Sequence, residues 1–289
     1  MTRPTLIAVI GPVEASLLHE FVLHYAKLGI DQFMFSFHFP EDTAVLTKHE
    51  LLAVCRELIG KPQFVSEGPW HATTNGDLRD MMRRRAGPGW HLLADIDEFQ
   101  FYPMKIGELI ELVQGTGHRV IHGLMLDRIS ADGRLCCWRS TAGLDDTYPL
   151  GGFLTHYVLK ADPRKVVLAH SSVDVSPGNH ISLERSNRSG PLVVVHHFKW
   201  RAGVVDYLHR RIEMFSTGAW REDGPWVRTE AQRFLTYLHM NRGRINLESP
   251  SLLFRPVNLR ELPSWWDVES RSLADWLDAN LSSWWEVES

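Results

Sequence analysis

The fold of this chain is decided by the stretch from Trp90 to Phe99, which reads WHLLADIDEF. A short apolar run with the features of a buried strand ends in three carboxylates, those of Asp95, Asp97 and Glu98. Burying so much negative charge is prohibitive unless a cation neutralises it. Acids that follow an apolar strand lie at the carboxyl edge of a sheet, where open α/β folds bind their ligands. The stretch therefore predicts an α/β fold with a cation site at a sheet edge.

Strand and helix patterns alternate through the first half of the chain. The period of the apolar residues predicts strands at 5–10, 32–37, 62–66, 90–94 and 119–126, and helices at 14–28, 43–59, 75–85 and 106–114. Further strands are expected at 165–169 and 192–198, and further helices at 204–215 and 226–239. The short connections favour right-handed βαβ units, hence a Rossmann-like, mainly parallel sheet flanked by helices. We expect one domain over residues 1–215 and a helical, Trp-rich C-terminal extension over 216–289.

Length and composition exclude several classes of protein. With 289 residues, 44% apolar and 23% charged, the chain is typical of a soluble globule with one large domain. A net charge of -4 argues against a nucleic-acid partner. Three cysteines without metal-type spacing favour a reducing compartment. Because no signal peptide and no run of roughly 20 apolar residues is found, we expect a cytoplasmic protein without a membrane span.

The acidic stretch is spaced for metal binding. Along a strand, Asp95 and Asp97 share one face, and Glu98 lies on the other. Two such carboxylates can share one divalent cation and its water shell, with phosphate oxygens in the open positions. Glu98 is then expected to form a hydrogen bond behind them. The alternative is a group of capping aspartates in a loop.

A second apolar strand, beginning at Val193, also ends in polar side chains. Its end reads VHHFKW over residues 195–200, so two imidazoles follow one another. One imidazole can complete a site of two carboxylates and a phosphate, and mixed nitrogen and oxygen ligation suits Mn²⁺ better than Mg²⁺. Neighbouring strand residues face opposite ways, so only His196 or His197 can do this. His197 is preferred because Val193 and Val195 share its face; the alternative for either histidine is a core residue with satisfied hydrogen bonds.

Five further candidates carry thinner signals. The turn GPVE at residues 11–14 follows the first strand, where a doubly wound fold borders its nucleotide pocket, so Gly11 and Glu14 are candidate nucleotide contacts. Asp127 ends the strand after the acidic one and is able to project into the same cleft. His180 follows a Gly-Asn pair and is a candidate substrate contact, and Lys165 is a candidate phosphate contact. Each of the last three is equally compatible with a surface loop.

Three separated segments resemble GT-A glycosyltransferases close to families 2 and 92. The first runs from Glu14 through a His-Tyr pair to Leu-Gly-Ile-Asp at residues 28–31. The second is the acidic stretch, which matches Trp-x-Leu-x-x-Asp-x-Asp-Glu-Phe, and the third is HHFKW at residues 196–200. Their order and spacing are similar to those of that group. One departure is Val13, since those enzymes have Asn before the glutamate.

The resemblance implies a metal-dependent glycosyltransferase. A sugar would pass from a nucleotide-sugar donor to an acceptor hydroxyl, the acceptor being a glycan or a small-molecule natural product. Asp95 would face the ribose or a metal-bound water, Asp97 and His197 would ligate Mn²⁺ or Mg²⁺, and Glu14 would line the nucleotide pocket. The proton acceptor of an inverting enzyme has no clear counterpart in these motifs. By position, Asp127 is the first choice and His180 the second.

Two other functions compete with this interpretation. A metal-dependent nucleotidyltransferase also uses carboxylates at strand ends and a nucleotide, but it releases pyrophosphate. A non-catalytic carbohydrate-binding or scaffold protein would bind sugars on some of the 11 tryptophans without turnover.

The C-terminal extension carries a near-repeat, SWWDVES at residues 264–270 and SWWEVES at 283–289. We expect these segments to be packing elements. Adjacent indoles cannot both face one core from a regular helix, so Trp284 or Trp285 should meet the domain body or a partner, such as a second copy in a homodimer.

Overall fold

One ten-stranded sheet runs through the computed structural model, which describes residues 3–139, 141–182 and 192–286, with side chains as far as residue 280. The strands are β1 Thr5–Ile10, β2 Phe33–Phe39, β3 Phe64–Glu67, β4 Trp90–Leu93, β5 Glu98–Phe101, β6 Val120–Ile129, β7 Leu150–Gly152, β8 Arg164–His170, β9 Val193–His197 and β10 Arg255–Pro256. The helices are α1 Ala15–Lys27, α2 Val45–Leu58, α3 Thr74–Ala86, α4 Ile106–Gly115, α5 Leu144–Thr147, α6 Leu154–Tyr157, α7 Val204–Ser216, α8 Trp226–Met240 and α9 Trp266–Glu286.

The sheet has a parallel half and a mixed half. Strands β3, β2, β1 and β4 pair in that order and are parallel. Strand β8 then lies antiparallel between β4 and β6. Strand β6 pairs with β7 and β9, and β9 also pairs with β5. The predicted α/β architecture, a sheet flanked by helices that is consistent with a Rossmann-like GT-A fold, is confirmed.

Helix α1 shows why the N-terminal half folds as its sequence predicts. Apolar residues recur at helical spacing along one face of this helix, and that face is buried: Leu17, Leu18, Phe21, Val22 and Tyr25. Gly29 follows the helix with a φ of 86°, a conformation that glycine adopts without steric strain. The chain can therefore turn at once into β2.

The predicted elements lie within one to three residues of their observed positions, and several elements are additional. The sequence pattern did not indicate β5, β7, β10, α5 or α6, and it gave no bounds for α9, which lies in the segment expected to be helical. All but α9 are no longer than four residues, too short for a clear apolar period. Strand β5 matters most among them, because it begins at Glu98 and so turns the acidic stretch back into the sheet.

The C-terminal section packs on the rest of the chain. Trp200 and Phe234 of α8 lie with ring centroids 4.3 Å apart. Strand β10 adds an antiparallel edge to β7. In the first Trp-Trp pair, Trp266 is fully buried and its indole donates a hydrogen bond to the Leu192 carbonyl at 2.9 Å. The second pair, Trp284 and Trp285, lies outside the described side chains.

Two further features concern the length of the helices and the state of the cysteines. No described helix combines the length and apolarity that crossing a membrane requires. All three cysteines are free thiols: Cys55 is buried, Cys136 is half-buried and Cys137 is exposed. Burial raises the pKa of the Cys55 thiol to about 11.

Candidate functional site

Strand pairing brings both polar strand ends together at one edge of the sheet. Asp95 and Asp97 lie in the turn between β4 and β5, and Glu98 opens β5. In the antiparallel pair of β5 and β9, Glu98 lies opposite His197. In the parallel pair of β6 and β9, Asp127 lies beside the same histidine. Residues about 100 positions apart in sequence therefore meet here.

Three of these side chains form what we call the histidine cluster: Asp97, Asp127 and His197. The Nδ1 of His197 lies 2.8 Å from Oδ1 of Asp127, so the ring donates its Nδ1 proton to that carboxylate. The other nitrogen, Nε2, then carries a lone pair, and it lies 3.8 Å from Oδ2 of Asp97. Asp97 accepts no side-chain hydrogen bond from the described residues. An imidazole nitrogen and a carboxylate thus face the same space.

Asp127 has no contact with solvent. Its Oδ1 accepts hydrogen bonds from His197, from the hydroxyl of Thr155 and from the indole of Trp200, each at 2.8 Å. Its Oδ2 accepts one from the backbone amide of Thr155 at 2.6 Å. Burial alone would raise the pKa of Asp127, but the bonds from His197, Thr155 and Trp200 outweigh it and hold the pKa below its usual value.

This environment differs from the one expected for Asp127 as a proton acceptor. A proton acceptor needs a lone pair that can reach the substrate, whereas both oxygens of this carboxylate are occupied inside the protein. The arrangement is that of a carboxylate that orients an imidazole and fixes its tautomer. Thr155 was not singled out from the sequence, and no local pattern marks it. Trp200 was part of the HHFKW segment, so that segment was the available signal.

A second group, the lysine cluster, consists of Asp95, Glu98 and Lys165. The Lys165 ammonium lies 3.0 Å from Asp95 Oδ2 and 2.7 Å from Glu98 Oε1, and it donates to the Gly178 carbonyl at 2.7 Å. Glu98 Oε2 also accepts the backbone amide of Asp95 at 3.1 Å. Lys165 and Glu98 are almost fully buried, whereas Asp95 keeps 37% of its side chain exposed.

The charges in the lysine cluster shift the pKa values of its members. Burial lowers the pKa of Lys165, but the charges of Asp95 and Glu98 outweigh it and raise the pKa above its usual value. Burial would raise the pKa of Asp95, but Lys165 holds it below its usual value. Burial raises the pKa of Glu98 to about 7, against the effect of Lys165. Lys165, expected from sequence as a phosphate contact, thus has its donors committed within the protein.

His180 lies beside the lysine cluster on a loop held by α3. Its Nδ1 donates to the Arg164 carbonyl at 2.8 Å, which leaves Nε2 as an acceptor. Arg79 of α3 fixes the loop through bonds to the Ser176 carbonyl at 2.7 Å and to Asn179 Oδ1 at 2.6 Å. Burial, with a smaller effect of Lys165, lowers the pKa of His180 to about 4. The ring is therefore neutral at physiological pH.

His196 faces the opposite side of β9, as alternation along a strand requires. It is fully buried, and its Nδ1 lies 3.1 Å from a guanidinium nitrogen of Arg128. Burial and the Arg128 charge lower the pKa of His196 well below its usual value. Arg128 is itself buried and donates to the Tyr148 carbonyl at 2.6 Å. Of the two adjacent histidines, only His197 faces Asp97.

The turn after β1 approaches the residues that follow β9. Oε2 of Glu14 lies 3.1 Å from a guanidinium nitrogen of Arg201, and the other terminal nitrogen of Arg201 donates to the Phe198 carbonyl. Glu14 keeps 45% of its side chain exposed. Apart from Gly11 itself and its two chain neighbours, no atom of the described residues lies within 4 Å of the position that a Cβ on Gly11 would take. This corner therefore has open space beside an exposed carboxylate.

The donors of the histidine cluster fit a divalent cation that is shared with a ligand. No group of three or more His, Cys, Asp or Glu side chains in the described ranges is arranged to hold a metal alone. Neighbouring ligands of one ion at 2.0–2.2 Å lie roughly 3 Å apart, so the 3.8 Å between Asp97 and His197 requires a shift of less than about 1 Å. A rotation of the Asp97 side chain, 24% exposed, provides it.

Comparison with known proteins yields distant structural neighbours. No protein-family model matches the chain, and no curated protein matches it. The chain is similar to the structure of S. aureus TarS 1–349, a glycosyltransferase, at 10% identity and a TM-score of 0.31, over 84% of this chain and 76% of the other. It is also similar to UDP-glucose pyrophosphorylase complexed with UDP-glucose, at 9% identity and a TM-score of 0.25, over 84% and 89%. What the protein does is therefore inferred from its own residues.

Proposed function

We propose that the protein is a divalent-metal-dependent glycosyltransferase, which moves a sugar from a nucleotide-sugar donor to an acceptor hydroxyl. The observation that carries the proposal is the pair formed by Asp97 and His197 at the carboxyl edge of the sheet. A carboxylate, together with an imidazole that a second, buried carboxylate orients, suits a cation such as Mn²⁺. Two protein ligands leave the other coordination positions for diphosphate oxygens and water.

Each residue at the edge has a defined part in this proposal. A bound Mn²⁺ or Mg²⁺ supplies positive charge that stabilises the departing nucleoside diphosphate. His197 can ligate only through Nε2, because Asp127 holds the Nδ1 proton. Asp95, fixed from behind by Lys165, presents its exposed side to the ribose or to a water molecule. Glu14 borders the space beside Gly11, where the nucleotide would lie.

The proposed reaction is a substitution at the anomeric carbon of the donor sugar. The bond from this carbon to the β-phosphate oxygen breaks, and the nucleoside diphosphate leaves with the electron pair. A bond to the acceptor oxygen forms, and in an inverting enzyme the acceptor's proton passes to a base. We assign that base to His180, because its Nε2 lone pair is not used by other described residues and its ring is neutral above about pH 4. Asp127 instead keeps His197 oriented.

Three measurements test the function. Nucleotide-sugar donors are incubated with the protein and Mn²⁺, and the products are separated. We expect a nucleoside diphosphate and free sugar, whereas donor binding without any product would indicate a carbohydrate-binding or scaffold protein. A parallel incubation with a nucleoside triphosphate and a sugar 1-phosphate tests the nucleotidyltransferase, which would release pyrophosphate and form the nucleotide-sugar. Mn²⁺ is then titrated with and without a nucleoside diphosphate. We expect tighter metal binding with the diphosphate present, and equal affinities would contradict the shared site.

A further inference from the structure

A cavity of about 450 Å³ lies between α6 and α9, apart from both clusters. Its volume falls in the range of about 300–1,000 Å³ that is typical of small-molecule sites. Helix α6 contributes His156 and Tyr157, and α9 contributes Glu269, Ser272 and Trp276. Lys160, just after α6, completes the polar part of the wall. The cavity thus joins the C-terminal helix to the segment that follows β7.

The wall combines aromatic surface with hydrogen-bonding groups of both kinds. Trp276 is 43% exposed, and its ring lies 5.1 Å from that of His156 in an edge-to-face contact. The Lys160 ammonium has no ion pair within the described residues, and Glu269 accepts from Arg255 at 3.0 Å while keeping 27% of its side chain exposed. Charges of both signs beside an aromatic face favour a neutral, hydroxyl-rich ring over a phosphate or another anion. Sugar rings have this chemistry, with an apolar face and hydroxyl edges.

The cavity is connected to the histidine cluster through one turn of helix. Thr155 donates its backbone amide and its hydroxyl to Asp127, at 2.6 and 2.8 Å. The next residue, His156, is 4% exposed and lines the cavity. Adjacent residues of α6 thus touch the carboxylate that orients His197 and the wall of the cavity. A ligand that shifts α6 would therefore shift the metal-binding imidazole.

We propose that this cavity binds a saccharide, with a pyranose ring stacked on Trp276 and its hydroxyls bonded to Lys160 and Glu269. The assignment of this cavity to a glycan acceptor rests on the proposed function, whereas saccharide binding in itself does not. The α6 connection further predicts that saccharide and Mn²⁺–nucleotide influence each other's affinity.

The test uses the full chain and a panel of disaccharides: maltose, cellobiose, lactose and N,N′-diacetylchitobiose. Binding is measured by saturation-transfer NMR and by titration calorimetry at millimolar saccharide. We expect at least one disaccharide to bind, and Trp276→Ala to weaken its binding roughly three- to tenfold. Trp226→Ala is the matched control, because Trp226 is 41% exposed but lies outside the cavity. Lys160→Met, a change at an exposed side chain, provides a second variant in case Trp276→Ala folds poorly.

Two results would overturn the assignment: no disaccharide of the panel binds the unmodified protein, or one binds but Trp276→Ala and Lys160→Met bind it as well as the Trp226→Ala control does. Donor hydrolysis is measured separately. Saccharide binding that depends on Trp276 in a protein without donor hydrolysis would leave the cavity site standing and remove the transferase. Donor hydrolysis without saccharide binding would leave the transferase standing and remove the cavity site.

Discussion

The lysine cluster and the histidine cluster each set two carboxylates beside one nitrogen base, yet they differ in how much charge stays uncompensated. In the lysine cluster, one ammonium lies within 3.0 Å of both carboxylates. In the histidine cluster, Asp127 is saturated by donors, whereas Asp97 lies 3.8 Å from the nearest imidazole nitrogen. In the first group the Lys165 ammonium offsets one of the two carboxylate charges and is bonded to both side chains, which supports the structure. The second leaves the Asp97 carboxylate without a cationic partner within hydrogen-bond distance among the described residues, and the proposed metal ion would supply that charge.

The largest effect is expected from Asp97→Asn, which removes the charge of one of the two proposed metal ligands. Turnover of the donor should fall by about three orders of magnitude, as for the loss of several kcal/mol of charge stabilisation. Thermal unfolding should stay unchanged, because this side chain has no internal hydrogen-bond partner among the described residues. Asp174→Asn, at an exposed position, is the control. Full turnover in Asp97→Asn with a chelator present would refute the role of the histidine cluster.

The main effect of Lys165→Met should be a lower free energy of unfolding, rather than a direct effect on turnover. Removing the ammonium leaves Asp95 and Glu98 facing each other without a cation, and a broken buried ion pair costs about 3–5 kcal/mol. Urea unfolding without added metal measures this loss. Lys105→Met serves for comparison, since 76% of that side chain is exposed and it should change stability little. Adding Glu98→Gln to Lys165→Met should recover part of the loss; no recovery would mean that the cluster is not held by charge balance.

Asp127→Asn distinguishes an orienting carboxylate from a proton acceptor. Loss of the partner of a ligating imidazole typically weakens metal binding about 10- to 100-fold. We therefore expect weaker Mn²⁺ binding in titrations with a nucleoside diphosphate present. Turnover should also be slower, and added Mn²⁺ should partly restore it. A general base would behave differently: turnover would fall at saturating Mn²⁺, and metal affinity would be unchanged.

The smallest expected effect is a change of folding stability with pH, which comes from His180 beside the lysine cluster. Burial lowers the pKa of His180 to about 4 from the ordinary 6.5, so the unfolded chain takes up a proton first as the pH falls. The stability contribution is complete above pH 6.5 and is lost progressively down to about pH 4. Between pH 7.5 and 5.5 the loss is about 1 kcal/mol. The side chain of the His180→Gln variant cannot titrate, so between pH 7.5 and 5.5 its free energy of unfolding, measured with urea, should fall by about 1 kcal/mol less than that of the unmodified protein. Identical losses would mean that the ring is already protonated in the folded protein at pH 5.5.

Apolar periodicity was sufficient for the regular part of the fold. It located β1, β2 and α1 to within a few residues, because the two strands are runs of buried, mostly apolar residues and the helix buries one apolar face. It also placed Asp95 and Asp97 at the carboxyl end of β4. The pairing of Lys165 with Asp95 spans 70 positions, and the four bonds to Asp127 come from Thr155 and from the HHFKW segment at residues 196–200. Such contacts depend on sheet order, which local sequence does not encode, so the functional difference between the two clusters emerged only in three dimensions.

Strand β9 lies between two strands that precede it in the chain, antiparallel to β5 and parallel to β6. Its pairing of Val195 with Met125 closes a loop of 70 residues, and such long-range parallel pairing is slow compared with helix formation. During refolding, the helical circular-dichroism signal should therefore return before Mn²⁺ binding does. Until β9 docks, its valines remain available to other chains, so concentrated refolding mixtures should aggregate through this strand.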